Sequence, residues 1–510
     1  MKTVSNRREF LRTGFATSAL LGTGSFAFLS RLPAVSAAEA KLDKSRVSFS
    51  PDIEPLVRLL EDAPRNRVLE EVAMRVKNGL NYRDVLAALL LAGMRNIQPR
   101  PVGFKFHAVL VVHSAHLASL NSPDSDRWLP IFWAIDQFKN SQARDVQEGD
   151  WTLGAVEESR VPAAHRAAED FRSAMDAWDE SAADTAAAGL ARHLGAQECF
   201  ELLAWYGARD FRDIGHKAIY VANTYRTLHT IGWRHAEPAL RALAYGLLDR
   251  GRDGNPAQND FAADRPYRRN VELLKEIKSG WATGKDDPAA MRAMLATLRQ
   301  GTDADACRKV VELLNRGASP RSITDAIFQL AGELLMRNPG IQSLHSVTAT
   351  NALHYAFQHC VTDATRRLLL LQNAAYVVLF RNNVLGAGKP SKPLIDELEP
   401  AATRTDDAAA IEEIFAHVSG DKLLAARKAL AWLQGGEGRV RPFMDAAQRL
   451  IYLKGNDSHD YKFSSAALED YFNVSPGPRE RCLASSVFYL KGSGAPDTNL
   501  SRRIRDALAG

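Results

Sequence analysis

Four cysteines in 510 residues are too few for a disulfide scaffold. Period-two alternation of apolar and polar residues is nearly missing, so strands are not expected. Charge of one sign is scarce in the body. The net charge is +5, and residues 1–37 carry Lys2, Arg7, Arg8, Arg12 and Arg31 against Glu9. What remains is close to neutral, which excludes the basic stripe of a general nucleic-acid binder. Long hydrophobic runs are also missing beyond the N-terminus, so no stable membrane span is expected in the mature chain.

Common chemical signatures are lacking too. No Gly-x-Gly-x-x-Gly follows a strand, which leaves out a Rossmann nucleotide site. Gly386-Ala-Gly388-Lys389-Pro-Ser391 imitates a phosphate loop, but Asn383 stands where that loop needs glycine and Pro390 interrupts the following helix. There is no Gly-x-Ser-x-Gly elbow, no Cys-x-x-Cys pair and no His-Glu-x-x-His.

With 46% hydrophobic and 25% charged residues, the chain has the balance of a globular protein. Apolar residues recur at spacings of three and four, and Ala, Leu, Glu and Arg dominate, so the fold class is all-α, a large helical array. Asn81, Ser122-Pro-Asp, Asp287-Pro288 and Ser319-Pro320 read as helix starts. Asp249–Pro266, rich in Gly, Asp, Asn and Pro, divides the body into helical halves at 38–250 and 266–510, with 251–265 as linker or long loop, unless it is a loop within one helical array. Cys199, Cys307, Cys360 and Cys482 stand in apolar helical contexts and read as buried free thiols.

Residues 5–12, Ser-Asn-Arg-Arg-Glu-Phe-Leu-Arg, resemble a twin-arginine export signal. A diluted apolar stretch and the small residues Val35-Ser36-Ala37 follow, so residues 1–37 read as a signal peptide. That resemblance implies handling by the Tat translocase and a periplasmic or secreted protein. It also raises the expectation of a cofactor, because proteins of this route are exported folded.

The 13 histidines are clustered. His107, His113 and His116 lie on one predicted helix, and His216, His229 and His235 in or beside two others. His345, His354 and His359 form a third group. The spacing His107-x5-His113-x2-His116 is echoed by His345-x5-Asn351-x2-His354, which would suit two related halves around a shared cavity. At 100° per residue His113 and His116 share a face, whereas His107 lies about 180° from His116. The same holds for His345 and His354, so either each triplet spans a helix start or His107 and His345 do different work from the rest. Asp213, His216 and Asn223 share a third face.

Imidazoles and a carboxylate on facing helices are how bundle metal sites are built. His113, His116, His216 and His354 are the candidate metal ligands, with Asp213 as a further ligand or a support, for iron, copper or zinc. A metal-free polar cavity and plain core histidines are the other readings of these clusters. Glu198 and Glu201 share a helical face and read as a partly solvated pair in preference to an acid–base couple.

Three segments resemble the questin oxidase-like family: Phe106-His107-Ala-Val-Leu-Val-Val-His, His216-Lys-Ala-Ile-Tyr-Val-Ala-Asn with Ala239–Tyr245, and His345-Ser-Val-Thr-Ala-Thr-Asn. The resemblance implies an all-helical, monooxygenase-like oxidoreductase acting on an organic small molecule. It makes His107, His216 and His345 the catalytic candidates; beside them, Asn223 and Asn351 read as hydrogen-bond donors to substrate or cofactor. It also implies NADPH as electron donor, which export would make implausible. The alternative class is a non-catalytic helical binding or scaffold protein of the cell envelope.

Overall fold

A computed structural model describes residues 45–251, 254–388 and 390–509. The proposed signal peptide at 1–37 lies outside them. Among the described residues there is no β-strand, only two isolated bridges, and the fold is all-α. In chain order the helices are α1 Glu54–Asp62, α2 Val68–Lys77, α3 Tyr82–Asn96, α4 His107–Leu110, α5 Val112–Leu120, α6 Leu129–Glu148, α7 Ala167–Ala177, α8 Glu180–His193, α9 Ala196–Gly207, α10 His216–Ile231 and α11 Ala236–Leu247. After the glycine-rich stretch come α12 Arg265–Leu273, α13 Pro288–Gln300, α14 Asp303–Asn315, α15 Pro320–Arg337, α16 Ile341–His359 and α17 Asp363–Gly386. The closing helices are α18 Asp407–Val418, α19 Lys422–Leu433, α20 Val440–Lys454, α21 Ser458–Asn473, α22 Pro478–Ser485 and α23 Asn499–Ala509.

Side-chain caps explain many of the starts. Asn81, Asp287 and Ser319 each accept a hydrogen bond from an amide of the first turn they open. Ser122 differs from its sequence reading. Its hydroxyl donates to the Ala118 carbonyl at 2.7 Å and so closes α5, while α6 opens later with Pro130 in its first turn.

The centre of the molecule is α16, buried on nearly all sides and packed against α10, α15, α17 and α21. In turn α10 packs on α5 and α9, and α21 packs on α5 and α20. Helices from before and after Asp249–Pro266 therefore share one set of contacts around α16. α17 is 24 residues long and apolar enough to cross a membrane, yet 78% of its apolar window is buried inside the fold, as expected of a core helix.

Several charged groups inside this apolar mass are paired. Arg95 donates to both Glu54 and Glu61 and so ties α1 to α3, and Lys217 meets Asp210 at 2.9 Å in full burial. Removing one partner of such a pair costs about 3–5 kcal/mol, because the other is left charged and unsolvated. Cys199, Cys307 and Cys360 are buried and Cys482 is half-buried, and all four are free thiols.

Candidate metal centre

Four histidines meet where several helices begin. His107 is the first residue of α4 and His216 the first of α10. His345 lies in the second turn of α16, and His459 is the second residue of α21. One ring nitrogen from each lies within 4.8 Å of the others. The Nε2 atoms of His107 and His216 are 2.9 Å apart, and those of His345 and His216 are 2.8 Å apart. His216, His345 and His459 are buried, at 5%, 0% and 9% exposure, whereas His107 is partly exposed.

The Nδ1 contacts fix the tautomers. His216 Nδ1 lies 2.6 Å from the Asp213 carbonyl oxygen, and His345 Nδ1 lies 2.7 Å from the Ile341 carbonyl oxygen. His459 Nδ1 lies 2.6 Å from Oδ1 of Asp457. A carbonyl or carboxylate oxygen only accepts, so each Nδ1 carries the hydrogen and donates it. In a neutral imidazole the other nitrogen, Nε2, is then a bare lone pair.

Burial keeps three of the four rings, those of His107, His216 and His345, neutral. It holds His107, His216 and His345 well below the ordinary imidazole range, and the positive charge of Lys462 pushes the same way. The site therefore gathers lone pairs at under 3 Å with no ring proton to place between the His216 and His345 nitrogens. Such an arrangement is repulsive unless a cation sits among them. Two nitrogens each about 2.0–2.1 Å from one metal ion lie roughly 2.9 Å apart when the angle between them is a right angle. The observed spacings match that value. A second nitrogen donated to a carbonyl or carboxylate is also the usual support of a metal-bound histidine.

Asp457 orients His459 twice, since its Oδ1 accepts from both the backbone amide and the ring of that residue. The hydrogen bond from His459 holds its carboxyl down at about 2, so it stays ionised. Lys462, one turn further along α21, is buried with its Nζ unpartnered, and burial pushes its ammonium down to about 7. Under His216, burial pushes the Asp213 carboxyl up to about 7, and the neighbouring Asp249 carboxylate adds to that rise.

The structure brings His107, His216 and His345 together and adds His459. It does not bring His113, His116, His354 or Asp213 into the cluster as ligands. His116 hydrogen-bonds the Tyr82 hydroxyl at 2.9 Å, and its ring lies 6.2 Å from that of His113. His354 packs against Phe328 and Phe357 with both nitrogens unpartnered. Asp213 contributes its main-chain carbonyl, and its carboxyl turns to Asp249.

Asn223 donates to the Leu110 carbonyl at 3.0 Å, and Asn351 donates to Glu469 and Asp470 at 2.8 and 2.7 Å. Both asparagines line a small cavity with His113, Arg226, Thr348 and Lys462, with room for about one water. Glu198 and Glu201 act as caps: Glu198 accepts from the Gly195 amide, and Glu201 accepts from the Val361 and Thr362 amides ahead of α17.

Sequence reasoning missed His459. The signal lay in Asp457-Ser-His-Asp, where an N-cap aspartate precedes the histidine by two residues and reaches both its amide and its ring. Set against protein-family models, curated proteins and solved structures, the chain matches none of them.

Proposed function

We propose that this chain is a metalloenzyme in which His107, His216, His345 and His459 hold one first-row transition metal ion. The ion would serve the oxidation of an organic small molecule. The observation that carries this reading is the convergence of bare Nε2 lone pairs whose Nδ1 hydrogens are already committed. All-imidazole sets suit iron, copper, nickel and zinc. Nitrogens near 2.9 Å apart suit right-angled coordination, which leaves positions open for a substrate, better than a closed tetrahedral zinc site does.

Such an ion supplies Lewis acidity and, if it is iron or copper, electron transfer. The chain's own part is to orient and to exclude water. The Asp213 and Ile341 carbonyls and the Asp457 carboxylate hold three rings in place, and burial keeps His216 and His345 unprotonated. The four rings bring no negative charge, and Lys462 beside them brings none. An anionic group from solvent or substrate would therefore be drawn to a bound cation. The oxidoreductase class follows the resemblance to questin oxidase-like proteins, and the twin-arginine-like N-terminus makes the setting periplasmic or secreted.

The test is elemental analysis with absorption and paramagnetic resonance spectra on the chain purified after native export. One iron, copper or other first-row ion per chain is expected. Under a tenth of that should remain in H216A and H345A at unchanged helix content. Full metal in those variants, or a metal-free wild type that takes up none, would remove the reading and leave a helical binding protein.

A further inference from the structure

Four non-glycine residues among those described have left-handed backbone: Phe104 (φ 45°), Asp150, Trp178 and Ile214 (φ 44°). Two of these four stand directly ahead of site histidines. Phe104 precedes His107 by three residues, and Ile214 precedes His216 by two. A β-branched residue there is a true outlier, and strain of this kind gathers at ligand clamps and active sites.

The segment before His107 lies on the site itself. A Cβ added at Gly103, where φ is 133°, would meet the His216 ring at 3.3 Å, so the bare glycine backbone rests on that ring. Its neighbours are anchored inward. Lys105 is buried and pairs with Asp145 at 2.7 Å, and Phe106 is fully buried. Phe104 alone points out, 66% exposed, although it is among the largest apolar side chains of the region. His107, the residue that follows this segment, is also the most exposed of the four histidines.

We propose that Phe104 forms the mouth of the four-histidine site and selects its ligand. Phe104 lies against the apolar body of an organic molecule whose polar end reaches the metal. The left-handed backbone holds that ring outward in the free protein, where it has no partner of its own. This inference rests on the metal reading above and adds a specificity-determining residue to it.

The probe pair is imidazole and 4-phenylimidazole, which ligate a metal alike and differ by one apolar ring. Both are titrated into the metal-loaded, full-length chain and followed by its absorption or paramagnetic resonance spectrum. Wild type should bind 4-phenylimidazole at least ~10-fold more tightly than imidazole, since an aromatic contact of about 1.4 kcal/mol corresponds to a factor of ten. In F104A the preference should fall below ~3-fold, the size of an unspecific apolar contribution, with imidazole binding and metal content unchanged. F104G, which accepts the left-handed backbone without strain, should melt above F104A. Metal-loaded wild type and F104A with equal preference would overturn the proposal, as would F104G melting below F104A. A chain that takes up no metal would show a different failure, absent spectral bands before any probe is added, and would overturn the four-histidine reading and the mouth together.

Discussion

Histidine in an apolar helix has two fates in this molecule, and the fate is decided by what stands opposite each nitrogen. His216 and His345 each have one nitrogen tied to a carbonyl and the other facing a second imidazole. His354 has neither, and burial among aromatic rings drives it down to about 4. In the unfolded chain it titrates at the ordinary 6.5. Above that value both states are neutral and the stability it allows is fully present. As the pH falls from 6.5 toward 4 the unfolded chain takes up the proton first, and folding loses up to about 3 kcal/mol from this group. His354→Leu should remove that loss. Its melting temperature, measured from pH 7 to pH 4, should decline less steeply than that of wild type. An identical acid limb would mean that His354 carries no such burden.

Helix starts position the site, and the contrast between the two histidine triplets arises at this scale. The His107 triplet spans a break at Val111, so His107 opens α4 toward the cluster while His113 and His116 ride on α5. The second triplet lies on one unbroken helix, where His345 joins the cluster, Asn351 donates to Asp470 and His354 packs against Phe328. That His107 and His345 are set apart from His116 and His354 was legible from helical geometry alone. That His113 and Asn351, at equivalent places in the echo, would line one cavity was not, because convergence depends on how α5 and α16 are packed. His459 stayed hidden for a related reason. Its helix reads as amphipathic, and only the N-cap Asp457 hints that its ring is held. Asp457→Asn keeps a good cap and removes the charge behind His459. Metal affinity should drop about 10-fold or more at unchanged stability, read by competition with a chelator. Asp457→Ala should lose stability as well. An unchanged affinity in D457N would show that the carboxylate only caps α21.

At the scale of the whole molecule, the four clustered histidines come from α4, α10, α16 and α21, spread from the early to the late part of the chain. No single hairpin contains the site. It exists only when α16 has been enclosed by helices from both sides of Asp249–Pro266. Metal release and loss of helix should therefore occur in one transition. Saturation at about 100 times the dissociation constant should add roughly 2.7 kcal/mol to stability, seen as a chelator-sensitive rise of a few degrees in the melting temperature. Metal leaving well before the helices melt would indicate a locally held site instead. The all-α class was legible from the sequence because three-and-four periodicity is a local property. The single shared core was not, since the loop between the proposed halves reads the same whether it links two bodies or one.

Two of the three acceptors that lock the imidazoles belong to the main chain, at Asp213 and Ile341. A main-chain carbonyl is encoded by no codon in particular. Sequences could drift at both positions, and the rings of His216 and His345 would keep their orientation as long as the backbone path survived. Only the third lock, at Asp457, is written in a side chain and can be erased by a single nucleotide change. Among descendants of this sequence, divergence at 213 and 341 would be silent for the site, while divergence at 457 would mark the lineages in which its use had changed.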